Sequence, residues 1–214
     1  MKKIITITLL LFLGFAKLCN AQFTQVELFY GLSKTDFTLY LSYPINEKNT
    51  LSIATLAFFQ NFSKMENGQF DEVGVQPTLL WNINKSISIG PSIYYNSAAG
   101  YSERLSAKLT LKNSSLLFVI IPTFAHSEQT NASYAEVFAQ FQYNIPIKEN
   151  ISLWFNGQFL TVWDKLKTHS RSFQQLRAGV SLYDHQFGMG VDFDQYGTDP
   201  LVKSSFGLYY RKTL

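Results

Sequence analysis

Eight ionisable side chains stand at alternate positions within apolar or small-residue runs: Glu27, Arg104, Lys108, Glu136, Arg177, Asp192, Asp194 and Arg211. On an extended chain alternate residues share one face, so each falls on the polar side of its run with neighbours such as Gln25, Thr38, Gln76, Ser88, Thr110, Gln140, Asn156 and Gln175. Four cations face four carboxylates. Such a face suits ion pairs that neutralise one another and fix strand register, or a charged constriction that selects solutes. A dedicated cation or anion eyelet shows an excess of one sign, and this face has none.

Residues suited to catalysis are sparse. Histidine occurs at 126, 169 and 185, all in predicted loops or turns. His126-Ser127 and His169-Ser170 are sequence neighbours, which an extended chain points to opposite sides, a poor geometry for a base activating a nucleophile. No histidine or carboxylate cluster has metal-ligand spacing, and the one cysteine, Cys19, lies in the leader described below. The expectation is a protein that is not an enzyme, with no catalytic residues, no metal and no cofactor.

The elements that carry these residues repeat a unit of roughly ten residues in which every second side chain is apolar, with no helical pattern between. Strands are predicted over 23–32, 36–43, 49–60, 72–82, 86–95, 102–111, 115–124, 133–144, 150–161, 172–183, 186–195 and 204–212. Twelve is an even number, as single-chain bacterial barrels have; ten would result if the weakly alternating 115–124 segment and one neighbour were not strands. The connections 44–48, 83–85, 112–114, 145–149 and 184–185 are short, whereas 61–71, 125–132, 162–171 and 196–203 are long. Short turns on one side and long loops on the other predict an orientation, with both termini on the periplasmic side.

Two hairpins allow registers to be named. A two-residue Asp184-His185 turn sets Arg177 opposite Asp192, and closing the barrel brings Arg211 beside Glu27. A turn centred on Asn84 sets Pro77 opposite Pro91, where two missing ladder donors predict a bulge. On the apolar parity, Tyr43, Trp81, Tyr143 and Tyr210 collect near the ends beside the short turns, as an interfacial aromatic girdle requires. Tyr95, Tyr101, Phe124 and Trp163 are candidates for the opposite belt.

The opposite parity is too polar to fold a small soluble barrel by hydrophobic burial. In a membrane the logic inverts, because lipid covers the apolar face and the lumen holds water or hydrogen-bonded pairs. The first 21 residues read as a cleaved signal: Lys2 and Lys3, an apolar run over 4–15, and a small-residue exit before Gln22. Residues 22–214 then form one barrel domain. The formal charge of +3 comes from the leader, since removing Lys2, Lys3 and Lys17 leaves 15 basic residues against 15 acidic ones. Nothing in that balance points to nucleic acid.

The leader ending Asn20-Ala21-Gln22, the alternating strands and the closing Phe206-x-Leu208-x-Tyr210 resemble the outer-membrane β-barrels of Gram-negative bacteria, with a cleavage site like those of the Bacteroidota. In size and strand count the chain is similar to small twelve-stranded porins, and no named family is matched. The resemblance implies an all-β, single antiparallel up-and-down transmembrane barrel in the outer membrane, with the bilayer and the barrel-assembly machinery as partners. The first functional expectation is a narrow channel passing small polar solutes by diffusion. A second is a plugged structural or surface-interaction barrel, sealed by the ion pairs and by Tyr40, Tyr94, Phe138 and Trp154. A third is a secreted soluble β-barrel with an interior ligand.

Overall fold

The computed structural model describes residues 23–63, 70–199 and 201–214; the leader expected over residues 1–21 lies outside them. Period-2 alternation folds as the sequence analysis expects. Twelve strands form one closed barrel in which each pairs antiparallel with its sequence neighbours and β1 closes on β12. They are β1 (Phe23–Gly31), β2 (Lys34–Pro44), β3 (Leu51–Phe62), β4 (Glu72–Asn82), β5 (Ile87–Asn96), β6 (Gly100–Lys112), β7 (Leu116–Ser127), β8 (Ala132–Lys148), β9 (Ile151–Asp164), β10 (Thr168–Leu182), β11 (His185–Tyr196) and β12 (Leu201–Thr213). Closure leaves no free edge among them.

Burial is inside out. Large apolar side chains are exposed on the outer face of all twelve strands, from Leu28 and Phe37 through Leu105 and Phe159 to Leu208. The most deeply buried side chains include Arg211, Lys34, Asp192 and Asp194. A contiguous apolar band of this kind is stable only against lipid or a partner.

The strands overrun the loops expected from sequence. β8 is 17 residues long and β10 is 15, beyond the roughly 9–11 that cross a bilayer. The expected loops 125–132, 162–171 and 196–203 shrink to 128–131, 165–167 and 197–200, leaving 63–71 as the one long connection. The predicted asymmetry in loop length is therefore lost, because pairing continues past the point where apolar alternation fades. Below, the rim carrying both chain ends is the terminal rim and the opposite one the distal rim.

Two expected registers shift by two residues, which preserves the face of every side chain. Tyr183 takes a left-handed conformation (φ 53°) in a Tyr183-Asp184 turn, so Leu182 pairs with His185, Arg177 with Gly190, and Asp192 with Gln175. In the β4–β5 turn the Asn84 carboxamide accepts from the Ser86 and Ile87 amides at 2.8 and 2.9 Å. Thr78 then pairs with Ser92 and Trp81 with Ile89, so Pro77 and Pro91 do not face each other. The register is the same on both sides of the prolines: the ladder is interrupted and no bulge forms. The closing pair Glu27–Arg211 falls in direct register, as expected.

Candidate functional site: two unlike walls of one lumen

One wall of the lumen, built by β10, β11, β12, β1 and β2, is a closed ionic network. Lys34 enters at the start of β2 and places its ammonium 3.0 Å from Asp36, 2.8 Å from Asp192 and 2.8 Å from Asp194. Three carboxylates around one ammonium is the donor set a metal cation would take, filled here by a side chain. Arg177 pairs with Asp192 and donates from Nε to Glu27 at 3.1 Å. Arg211 pairs with the other Glu27 oxygen and donates to Asn156 Oδ1 at 3.1 Å. Asp192 and Arg211 are both 0 % exposed.

Backbone makes room for this packing. A Cβ on Gly190 would lie 2.7 Å from Arg177 Cδ, so the missing side chain lets Arg177 lie across β11 and reach Asp192 diagonally. Its guanidinium rests 4.1 Å from the centre of the Phe29 ring, a cation–π contact in a desolvated setting.

The opposite wall, β4 to β9, is different. Near the distal rim Arg104 donates to Glu136 at 2.8 Å, Gln76 at 3.0 Å and the Tyr134 hydroxyl at 2.9 Å, and lies 3.9 Å from the Tyr94 ring centre. Toward the terminal rim the inward groups include the half-buried amides and hydroxyls Ser88, Thr110, Gln140, Gln142 and Gln158, beside the buried Val119 and the half-buried Trp154. Lys108 sits among them opposite Ser88, with no ion-pair partner among the described residues.

The walls meet in the distal half. Arg171 on β10 reaches Glu72 on β4 at 2.5 Å, and these strands are six apart in the ring of twelve. The pair therefore spans the lumen. Phe70 packs beside it, 4.9 Å from the Tyr196 ring and 5.8 Å from Phe62, with its carbonyl accepting from Gln60 at 3.1 Å.

All eight charged positions singled out in the sequence face inward. Seven join ion pairs, and Lys108 stands apart. The sequence reading missed Lys34, Asp36, Glu72 and Arg171. Each continues the inward parity of an assigned run, from Thr38 back to Asp36 and Lys34, from Gln76 to Glu72, and from Gln175 to Arg171. Asp36 and Glu72 open the predicted strands 36–43 and 72–82 on the inward parity and are passed over there, while Lys34 and Arg171 lie one or two residues before the predicted strand starts.

Tyr43, Trp81, Tyr143 and Tyr210 point outward in the terminal half and are 42–58 % exposed. His185 Nδ1 lies 2.7 Å from the Tyr210 hydroxyl. Tyr95 and Tyr101 pair in the distal half with ring centres 4.9 Å apart. The three histidines lie at strand ends and not in loops, because the strands overrun. His126 meets Ser133 across the β7–β8 pair at 3.3 Å, and not its sequence neighbour Ser127. His169 meets the Gly197 carbonyl at 2.9 Å.

No family model matches the chain, and no curated protein does. Among solved structures it is similar to the NanC porin, at 11 % identity and a TM-score of 0.55 over 88 % of this chain and 98 % of that one. The KdgM porin aligns at 10 % identity and a TM-score of 0.46 over 89 % and 96 % of the two chains. LpxR from Salmonella typhimurium aligns at 8 % identity and 0.49 over 89 % and 99 %. At these identities the likeness is one of fold. The chain has the fold of a closed twelve-stranded antiparallel barrel, the fold it shares with the NanC porin.

Proposed function

We propose that the barrel sits in the outer membrane with its terminal rim toward the periplasm, after cleavage of the leader, and that it is a narrow, non-enzymatic channel for small polar solutes. The observation that carries this reading is the wall from β4 to β9. Toward the terminal rim its inward amides and hydroxyls, Ser88, Thr110, Gln140, Gln142 and Gln158, keep part of their surface accessible, whereas packing without a conduit would bury them against partners, as it does Ser106, Thr123 and Asn156 elsewhere in the same wall. Uncharged hydrogen-bonding groups favour polar solutes without holding ions tightly. The Arg171–Glu72 pair makes the distal half the constriction.

That same pair favours a second reading, a barrel sealed across its lumen. Conductance of the purified protein in a planar bilayer separates the two. A channel gives small ohmic steps, and the double variant Glu72→Ala with Arg171→Ala raises them severalfold by removing the crossing. Silence at high salt in both proteins overturns the channel in favour of the sealed barrel.

A further inference from the structure

Five inward residues follow one another in a single row around the lumen wall from β6 to β10. Ser106 pairs with Thr123 and Leu109 with Ile120, which sets Lys108 beside Ile121. Ile121 pairs with Phe138, Phe138 with Leu160, and Leu160 with Phe173. The facing is fixed by the opposite parity, since Phe124, Val137, Phe159 and Leu176 are exposed on the outer face of the same strands. The row is thus one cation followed by large apolar side chains. Beyond Phe173 it meets Asp194, which Lys34 already holds.

Apolar side chains in series are out of place on the inner face of a water-filled barrel, where inward positions are polar. The rows on either side follow that rule in part, with Thr123 and Glu136 paired in one and Gln140 and Gln158 in the other. Ile121, Phe138, Leu160 and Phe173 are half-buried, so each keeps accessible surface that a dry seal would remove. Covering that surface is favourable for an apolar body that comes against it. The Lys108 ammonium has no ion-pair partner among the described residues, whereas Arg104, on the same strand and face, is held by Glu136 at 2.8 Å.

We propose that this row is the solute-recognition strip of the channel and that it takes monocarboxylates with an apolar body. The carboxylate meets the Lys108 ammonium, and the ring or short hydrocarbon lies against Ile121, Phe138 and Leu160. The strip rests on the channel reading, which supplies the route to it. A mostly apolar surface with one charged group to fix orientation is the usual make-up of a small-molecule site. One ammonium compensates one negative charge, and a second would approach Glu136 in the adjoining row. An alcohol of the same shape forgoes the charge-assisted contact, and acetate forgoes the apolar one.

The test is isothermal titration of the detergent-purified barrel with benzoate, acetate and benzyl alcohol, each corrected for detergent micelles alone. Benzoate is expected to bind about tenfold more tightly than either of the others, the scale of one hydrogen bond to a charged group. Lys108→Gln lowers benzoate to the level of benzyl alcohol, and Phe138→Ala lowers it toward acetate. Heat-modifiable gel migration checks that each variant is folded. Absent benzoate binding, equal binding of benzoate and benzyl alcohol by the unaltered protein, or unchanged benzoate affinity in Lys108→Gln overturns the strip. Planar-bilayer conductance of the same protein tests the channel separately. Ohmic steps without a preference for benzoate keep the channel and overturn the strip, whereas selective binding by a silent barrel supports the strip and overturns passage.

Discussion

The two walls of the lumen share one inward parity and put it to opposite uses. From β10 round to β2, Lys34, Arg177, Asp192, Asp194 and Arg211 are buried and matched, with Lys34 alone meeting three carboxylates. From β5 to β9 the terminal half carries Ser88, Thr110, Gln140, Gln142 and Gln158, all partly exposed, together with the cation Lys108. Overall neutrality hides this division. A balanced lumen can be a rigid strut on one side and a wettable surface on the other, because pairing depends on which strands curve toward each other and not on composition.

The largest effect is expected at the centre of the ionic wall. Asp192→Ala leaves Lys34 and Arg177 short of a counter-charge in a desolvated site, and removing one member of a buried pair costs about 3–5 kcal/mol. Urea unfolding in lipid vesicles measures it. On the other wall Gln158→Ala should cost about 1 kcal/mol or less, the net value of an ordinary hydrogen bond. Equal losses would erase the distinction between the walls.

A smaller effect follows from the packing that supports the network. Gly190→Val introduces atoms where Arg177 and Phe29 already lie, the nearest 2.7 Å from the new Cβ, and overpacking of this kind costs about 1–3 kcal/mol. The same unfolding assay should rank it between the two previous variants. The smallest change in stability, within about 0.5 kcal/mol, is expected for Lys108→Glu. That substitution should shift the reversal potential in a salt gradient from a mild anion preference to a cation preference. An unaltered potential would place the conducting path away from Lys108.

Much of this was legible in the residues themselves. Alternation placed all twelve strands, and parity put Glu27, Arg104 and Arg211 inside because facing follows from a two-residue period alone. The registers of β4–β5 and β10–β11 were not legible, since an Asn84 turn and a left-handed Tyr183 each displaced pairing by two residues. Loop lengths misled for a related reason. Arg171 lies just before the predicted strand 172–183, where apolar alternation has faded, yet backbone pairing holds it on the sheet, level with Glu72 at the start of β4. Their meeting across the ring depends on barrel diameter and side-chain reach, which no local pattern encodes.

The two prolines of β4 and β5 also bear on how the ring coheres. The seam at which a closed sheet is completed, β1 against β12, is paired continuously from Gln25 to Gly31. The β4–β5 ladder is broken on both sides of Thr78 and Ser92. Local opening begins where backbone hydrogen bonds are fewest. The join between the first and last strands is thus more continuous than one between consecutive strands, and the ring's point of compliance lies well away from its chain ends, where Pro77 and Pro91 interrupt the sheet.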